Sequence, residues 1–560
     1  MQSFTQVSRG LAEIAGLLEF AGEPKFKVKA YANAAEVVDT LGDDLASLVE
    51  QNRLQELPGI GRALEQQIQE LWNAGTSALL TRLRSEQPEG ASELLQVEGM
   101  TPRRIRALHD ALGIRSVPEL RAACAAQRVR DVAGFGKKTE ERLLAACERW
   151  LTRGDVEQPS TLLSVALELA SFLERELRKT LDEVELAGAL RRGEETVREI
   201  EFVVRGDLEA ALQQLCGLRQ VIRVDFENHL AYLGGGLRLR LHASGPGWGT
   251  ALVLATGTAA HVTALRARAE RRGLEPLLPA TETEQGLYES LRLSWIPPEL
   301  RQGTNELELA SSGDFADLIA IDDIQGMVHC HTTYSDGKAG IEEMALAAQA
   351  LGMKYITITD HSPSAHYAGG VTLDRLRAQW DEIAAIQERV TIRILRGTES
   401  DILSSGELDY PDEILEQFDV IIASIHARHR MDRAAMTDRV KKALSWPGFK
   451  IWGHALGRIL NHRDPIDCDV PVILDALAQS RGAIEINADP HRLDLPPAWI
   501  PAARERGIPF VVSVDAHSTR GLGVVNYGVT MARRGGLRKR EILNALPAED
   551  FASRVRPATG

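Results

Sequence analysis

The sequence predicts a multidomain protein with an all-α N-terminal region carrying helix-hairpin-helix elements, an α+β middle and a C-terminal (β/α)7-type barrel. Three observations lead there. The 560 residues, at roughly 150 per domain, make about four folding units. The first part is rich in Leu, Ala, Arg and Glu at helical spacing, whereas short apolar strands alternate with amphipathic helices after about residue 320. Ten of the fourteen histidines lie at or after His329, beside acidic residues. The main boundary is expected at 311–324, where SSGDFADLIAIDD runs into the first barrel strand.

A hydrophobic fraction of 44% with 26% charged residues is that of a globular chain and excludes a fibrous or disordered one. The 65 basic and 79 acidic residues leave a net charge of −14, so any contact with nucleic acid must rest on local basic clusters. Cys124, Cys147, Cys216, Cys330 and Cys468 are scattered and form no CxxC, which excludes a disulfide framework or structural zinc finger and suggests a reducing cytoplasm. No apolar run is long enough to cross a bilayer, and MQSFTQVSRG lacks a signal-peptide core. Nothing demands more than a monomer.

In the first part, ELPGIGRALEQQI (56–68), QVEGMTPRRIRAL (96–108) and DVAGFGKKTEERLL (131–144) resemble one another. Each sets a glycine turn (Gly59 and Gly61; Gly99; Gly134 and Gly136) before a helix. Such a hairpin presents backbone N–H groups to a DNA phosphate without reading sequence. Arg62, Arg103, Arg104, Lys137 and Lys138 directly follow the turns, as phosphate binding requires. The simpler alternative is a structural turn, which one copy would not exclude and three copies disfavour. Lys25, Lys27 and Lys29 are expected just before a helix in EPKFKVKAYANAAEVVDTL; they make either a phosphate site or a solvated basic edge.

KFKVKAY followed by ELPGIG resembles the N-terminal helical domain and fingers of a bacterial family X DNA polymerase. In that family the small domain binds a gapped 5′ end, and one of the lysines sometimes serves as a lyase nucleophile. VELAGALRRGEETVREIEFVVRGD (184–207), GLRLRLHAS (236–244) and TGTAAHVTALRARAERRGL (256–274), then LYESLRLSWIPPELRQGTNELELA (287–310), resemble its palm and thumb in the same order. The resemblance implies a helical DNA-binding domain at 1–85, fingers at 86–155, a palm at 156–245 and a thumb at 246–312. It also implies dNTP as a ligand, with Arg191, Arg192, Thr256, Gly257 and Thr258 about the nucleotide or a phosphate; a glycine between hydroxylated residues exposes backbone donors.

Nucleotidyl transfer needs three carboxylates around two Mg²⁺ ions. The paired positions here are Glu199 and Glu201, each a methylene longer than aspartate, and the third is Arg238. A cation cannot hold Mg²⁺; it is expected to pair with Glu199 or Glu201 and fill the metal site. The palm is therefore read as degenerate, polymerising weakly or not at all, with Mg²⁺ there doubtful. Asp225 is a weaker candidate for the third carboxylate, because RVDFENHLAYL reads as the first arm of a hairpin turning at Gly234–Gly236.

After residue 320, GMVHCH (326–331), KYITITDH (354–361), TIRILRGTE (391–399), DVIIASIH (419–426), FKIWGH (449–454), AIEINA (483–488) and PFVVSVDAH (509–517) read as strands ending in polar, ligand-type residues. Helical stretches between them make a parallel barrel with its site at the C-terminal rim. His329, His331, Asp336, His361, Glu399, His426, His454, Asp515 and His517 lie at or beyond those ends. Imidazoles mixed with carboxylates favour Zn²⁺ or Mn²⁺, and nine ligands imply two or three ions. Glu399, the one glutamate of the set, is placed to bridge; with His426 and Asp515 it is read as the catalytic group. His366, His429, His462 and His491 are read as structural.

HCHTTYSDG, ITDHS, GTESDIL, SIHARH, GHALGR, EINADPHRLDLP and VDAHS resemble the polymerase-and-histidinol-phosphatase (PHP) domain, here spanning 325–560. The resemblance implies a first metal on His329, His331, Glu399 and Asp515, a second on Glu399, His426 and His454, and a third on Asp336, His361 and His517. Metal-activated water would then cleave a phosphodiester, with Arg458 either binding substrate phosphate or forming a rim salt bridge. The expected activity is 3′→5′ exonuclease action on gapped or single-stranded DNA, with abasic-site or 3′-phosphate processing as neighbours. The alternatives are a working gap-filling polymerase with exonuclease, and a small-molecule phosphatase whose N-terminal half is an interaction module.

Overall fold

The computed structural model describes residues 4–558 except 21–22, 42–44, 46–47, 50–52, 58, 86–93, 95–96, 98, 153–159, 275–277 and 430. It divides into two compact units, residues 1–158 and 159–560.

The first unit is helical, with separate cores over 7–83 and 94–147. Its three hairpins have one backbone design. Gly59, Gly99 and Gly134 take φ of 83°, 85° and 90°, a region costly for any residue with a Cβ. After each, an apolar residue plugs inward while its N–H closes the turn: Ile60 to the Leu57 carbonyl, Met100 to Val97 and Phe135 to Val132. Helices Arg62–Ala74, Pro102–Leu112 and Lys137–Thr152 then each begin three residues past the glycine. The basic run falls inside a helix and not before one, because Lys25–Leu41 is helical from its first lysine. Lys27 pairs with Glu23 at 3.1 Å, and the Lys25 side chain lies outside the described residues.

In the second unit, a five-stranded sheet holds strands β1 (Leu181–Ala187), β2 (Glu199–Gly206), β3 (Val221–Asp225), β4 (Leu230–Leu233) and β5 (Arg238–Ala243) in the order β1-β2-β5-β4-β3. The segment expected to be one long hairpin arm is two strands. Asp225 accepts from the Asn228 N–H at 3.1 Å and its side-chain amide at 3.0 Å, and this local turn breaks the run so that β3 pairs with β4. The glycine turn at Gly234–Gly236 then joins β4 to β5.

Helices Trp248–Thr256, Ala259–Arg271 and Glu284–Ser290 pack on a core of Val253, Leu265, Leu287 and Tyr288. Here the phosphate-cradle expectation for Thr256, Gly257 and Thr258 is overturned. The Gly257 N–H donates to the Val253 carbonyl at 2.8 Å and that of Thr258 to Arg301 at 3.1 Å. The Thr256 hydroxyl is buried and receives Arg191 at 3.2 Å, and that of Thr258 donates to the Gln302 carbonyl at 2.8 Å. The segment is a helix–helix joint whose donors are already used. Arg191 and Arg192 are drawn into it, Arg191 by the Glu284 carboxylate at 2.6 and 3.2 Å and Arg192 by the Thr256 carbonyl at 2.7 Å.

Seven parallel strands follow in sequential order: β6 (Gly326–Cys330), β7 (Tyr355–Ile358), β8 (Arg393–Asp401), β9 (Val420–Ser424), β10 (Lys450–Trp452), β11 (Gly482–Asn487) and β12 (Phe510–Ser513). Hydrogen bonds from Val514 to Val328, from Ala516 to His329 and from His331 to Ala516 draw the last strand end to the first, so the sheet is nearly closed and every carboxyl end faces one rim.

Glu284 is the anchor of the helical part. Burial by itself would raise its pKa, but hydrogen bonds and charge from Arg301 and Arg191 outweigh burial and lower it from 4.5 to about 2. Its carboxylate therefore adds about 3 kcal/mol above pH 4.5, a contribution lost as pH falls through 2. Glu284→Ala strands a fully buried Arg301 and is expected to destabilise by about 3–5 kcal/mol, read as a lower thermal midpoint of the full chain at pH 7.

Candidate metal centre

Parallel β-strands deliver their last residues to one rim, and this sequence puts a ligand at nearly every end. His329 is in β6 and Glu399 in β8; His426, His454 and Asp515 each follow their strand by two residues. His329, His454 and Asp515 take φ of 67°, 23° and 49°, a left-handed region that costs residues with a side chain roughly 1–3 kcal/mol. Such backbone persists where the surroundings enforce it, and here it coincides with three side chains converging on one point.

That point is the carboxylate of Glu399, 1% exposed. One oxygen stands 2.9 Å from His454 Nε2, 3.1 Å from His426 Nε2 and 3.3 Å from His329 Nε2. The other stands 3.0 Å from His361 Nδ1 and 3.6 Å from His331 Nε2. Asp515 Oδ1 lies 3.3 Å from His331 Nε2 and 3.5 Å from His329 Nε2. Asp336 closes the outer side, 3.5 Å from His361 Nε2 and 3.4 Å from His517 Nε2. All nine expected ligands therefore meet. The three-way partition implied by resemblance is less sharp in the geometry: His331 turns Nε2 to Asp515 and Nδ1 to Asp336 at 3.8 Å, and it shares groupings with His329 and Asp515 and with Asp336, His361 and His517.

The donor set fits divalent metal. His329 Nε2, both His331 nitrogens, His361 Nδ1 and Glu399 Oε2 are buried without a hydrogen-bond partner, a costly state that a cation would relieve. Burial, together with the charges of His517 and His361, lowers His331 to about 3, leaving a neutral imidazole with lone pairs to give. Burial would also lower His361, but Glu399 and Asp336 outweigh it and raise that imidazole to about 10. His426, His329 and His361 hold Glu399, and His329, His331, His517 and Arg492 hold Asp515, well below the usual carboxylate range despite burial.

Sequence reasoning missed the layer behind these ligands. Glu485, fully buried in β11, takes His329 Nδ1 at 2.5 Å, the Ser513 hydroxyl at 2.6 Å and the His454 N–H. Asp401 takes His426 Nδ1 at 2.8 Å, and the Asn487 amide reaches Asp515 at 3.1 Å. Asp360 gathers the Thr332 and Ser335 hydroxyls and the Gln379 amide. Signals were present. Glu485 is a lone carboxylate in an apolar strand, and Asp401 follows Glu399 by two, the spacing that shares a strand face.

Arg458 is not a free phosphate ligand: it donates to the Arg492 carbonyl at 2.9 Å, to the Leu493 carbonyl and to Glu195 at 2.7 Å. The rim-salt-bridge alternative fits. The cation beside the cluster is Arg492, 3.5 Å from Asp515 and 3.8 Å from Asp489, with Nη1 buried and unpartnered. Of the remaining histidines, His491 meets Asp489 at 3.0 Å, His366 lies in a short turn, and the His462 N–H closes on Ile459. Burial and the charge of Arg463 push His429 down to about 4.

In the five-stranded sheet, β2 and β5 run parallel with Glu199 opposite Arg238 and Glu201 opposite Arg240. Arg238 pairs with Glu199 at 2.9 Å, and Arg240 grips the same carboxylate. Glu201 meets His242 at 2.8 Å. Arg240 and His242 were missed, although they follow Arg238 at the two-residue spacing of one strand face. At the hairpins, Arg62, Lys137 and Lys138 are exposed where their helices begin. Arg104 instead folds back on the Gly99 carbonyl and stands 5.8 Å over the Phe135 ring; the Arg103 side chain lies outside the described residues.

The chain matches family models described as a helix-hairpin-helix domain over residues 5–77, a SAM-like helix-hairpin-helix tandem over 91–149 and a PHP domain over 328–489. It is 33% identical to the DNA polymerase/3′-5′ exonuclease PolX of Bacillus subtilis, across 97% of this chain and 98% of that protein. Probable phosphatases of Thermoanaerobacter sp. and Shewanella sp. strain MR-4 are 28% and 26% identical, each over 39% of this chain and 88% and 86% of their own lengths.

Glu485→Gln is expected to lower metal affinity about 10- to 100-fold, because it takes the negative charge and one of the two acceptor oxygens from behind the His329 ring and the His454 N–H. Competition against a chromogenic chelator reads this, and an unchanged affinity would exclude an orienting role.

Proposed function

Because this chain belongs to the bacterial family X DNA polymerases that carry a PHP domain, we propose that it is a metal-dependent 3′→5′ exonuclease acting on gapped or single-stranded DNA, with a palm that polymerises weakly or not at all. One observation carries the reading: six imidazoles and three carboxylates, Glu399 among them, meet from six strand ends at one barrel rim.

His329, His331, His361, His426, His454, His517, Asp336, Glu399 and Asp515 would hold two or three ions, for which mixed nitrogen and oxygen donors favour Mn²⁺ or Zn²⁺. Bound there, divalent ions make water nucleophilic near neutral pH and offset charge on phosphate. The chain's own residues prepare the rest. Glu399 and Asp515 remain anionic and His331 neutral at pH 7. Glu485 and Asp401 hold the rings of His329 and His426. The free Nη1 of Arg492 suits a non-bridging phosphate oxygen. Water adds to phosphorus, the bond to the neighbouring 3′ oxygen breaks, and that oxygen takes a proton, releasing a nucleoside monophosphate.

In the palm, Arg238 and Arg240 hold Glu199 where a metal ion would sit, and His242 holds Glu201. This supports weak or absent polymerisation and leaves dNTP a doubtful ligand, although the Bacillus relative is named a polymerase. The three glycine hairpins, with Arg62, Lys137 and Lys138 at their helix starts, supply sequence-independent DNA contact and favour DNA over a small phosphate ester. The working form is a monomer in the cytoplasm, at the nucleoid when DNA-bound.

His331→Ala is expected to reduce degradation of a 5′-labelled strand at least 100-fold in Mn²⁺, while gel-shift affinity stays within about twofold (magnitudes of the order set by catalytic metal ligands). Wild type that carries metal yet leaves the strand intact would refute the exonuclease. Side by side, primer extension is expected to be weak in wild type and no weaker in Glu201→Ala. Extension abolished by that change would make the palm a working polymerase.

A further inference from the structure

Tyr367 is 67% exposed, yet its ring lies 6.0 Å from that of His361 and 6.3 Å from that of His426, centroid to centroid. A large aromatic kept in solvent is not explained by core packing. Its loop is fastened throughout. The Val371 N–H returns to the His361 carbonyl at 2.8 Å, and Ala368 and Gly370 donate back to Ala365. The Ser364 hydroxyl reaches Asp401 at 2.9 Å and its N–H reaches Asp409 at 2.7 Å. Arg375 holds the Gly369 carbonyl at 2.7 Å, and Tyr410 holds that of Val371 at 2.5 Å. Gly369, at φ 67°, turns the chain there. Gly370 lies so close beneath that a Cβ on it would stand 2.1 Å from the Ser362 carbonyl oxygen. The ring thus stands on a fastened loop as a solvent-facing plane beside two imidazoles of the candidate metal centre.

We infer that Tyr367 is a stacking platform for the nucleobase of the 3′-terminal nucleotide, setting the terminal phosphodiester over the cluster. The inference rests on the exonuclease reading and deepens it. A nucleobase is the occupant that fits. A face-on ring binds any base, suiting an enzyme that removes nucleotides without regard to sequence, and it requires the base to be unpaired. Arg492, 3.5 Å from Asp515, supplies an anion contact at the same rim.

The experiment compares single-turnover removal of the last residue from two oligonucleotides in Mn²⁺, one ending in a normal nucleotide and one in an abasic tetrahydrofuran residue. Wild type is expected to remove the normal residue roughly tenfold or more faster, the scale of one base–aromatic stack. Tyr367→Ala is expected to lose that preference by slowing on the normal end alone, its unchanged rate on the abasic end showing an intact metal centre. Tyr367→Phe is expected to keep the preference. Equal wild-type rates on the two ends, or a preference retained in Tyr367→Ala, would overturn the platform while leaving the exonuclease standing. Wild type inactive on both would instead sink the exonuclease reading itself.

Discussion

A carboxylate sealed from water at the end of a barrel strand dictates much of this molecule. Glu399 has five imidazoles from four strand ends around it, and several of those nitrogens have no hydrogen-bond partner. Such a cluster is unfavourable as a mere core. It becomes favourable when positive charge sits among the donors, so binding of metal and stability of the rim are linked. The left-handed backbone at His329, His454 and Asp515 belongs to the same bargain, since strain at a strand end is retained where convergence is the purpose.

Behind the ligands, buried acceptors remove the remaining freedom. Glu485 ties His329, Ser513 and the His454 backbone into one unit, so that β6, β10 and β12 are fixed relative to each other through a single carboxylate in β11. Farther out, Arg458 and Arg534 clamp Glu195 from the loop before β2. The loop carrying His454 and Arg458 is thereby joined to the five-stranded sheet. Burial opposes ionisation of Glu195, and the two arginines outweigh it, so the contact is charged and directional.

The two chemical centres of the second unit have opposite electrostatics. In the barrel, carboxylates are surrounded by imidazoles that can surrender a proton and accept metal. In the five-stranded sheet, Glu199 is surrounded by guanidinium groups, which cannot be deprotonated in a protein. A metal can replace a proton on histidine; it cannot readily displace an arginine already bonded to its ligand. The same residue class, an acid on a strand, is therefore poised for metal in one place and neutralised in the other.

Strand-end histidines and acids, glycine hairpins and the order of domains were all legible in the chain, because each depends on local period and on which residue ends an element. The nine candidate ligands could be picked out because a parallel barrel sends every strand end to one rim. Long-range partnerships were not legible. Whether Arg458 faces substrate or Glu195, whether Thr256–Thr258 offers donors or has used them, and which carboxylate stands behind His329 depend on neighbours 44 to 263 residues away. The sequence by itself determined which chemistry could be presented at the rim. Tertiary structure decided which of those groups have partners and which are left with charge or lone pairs to give, because hydrogen-bond satisfaction in a buried site is a property of the whole assembly of strands.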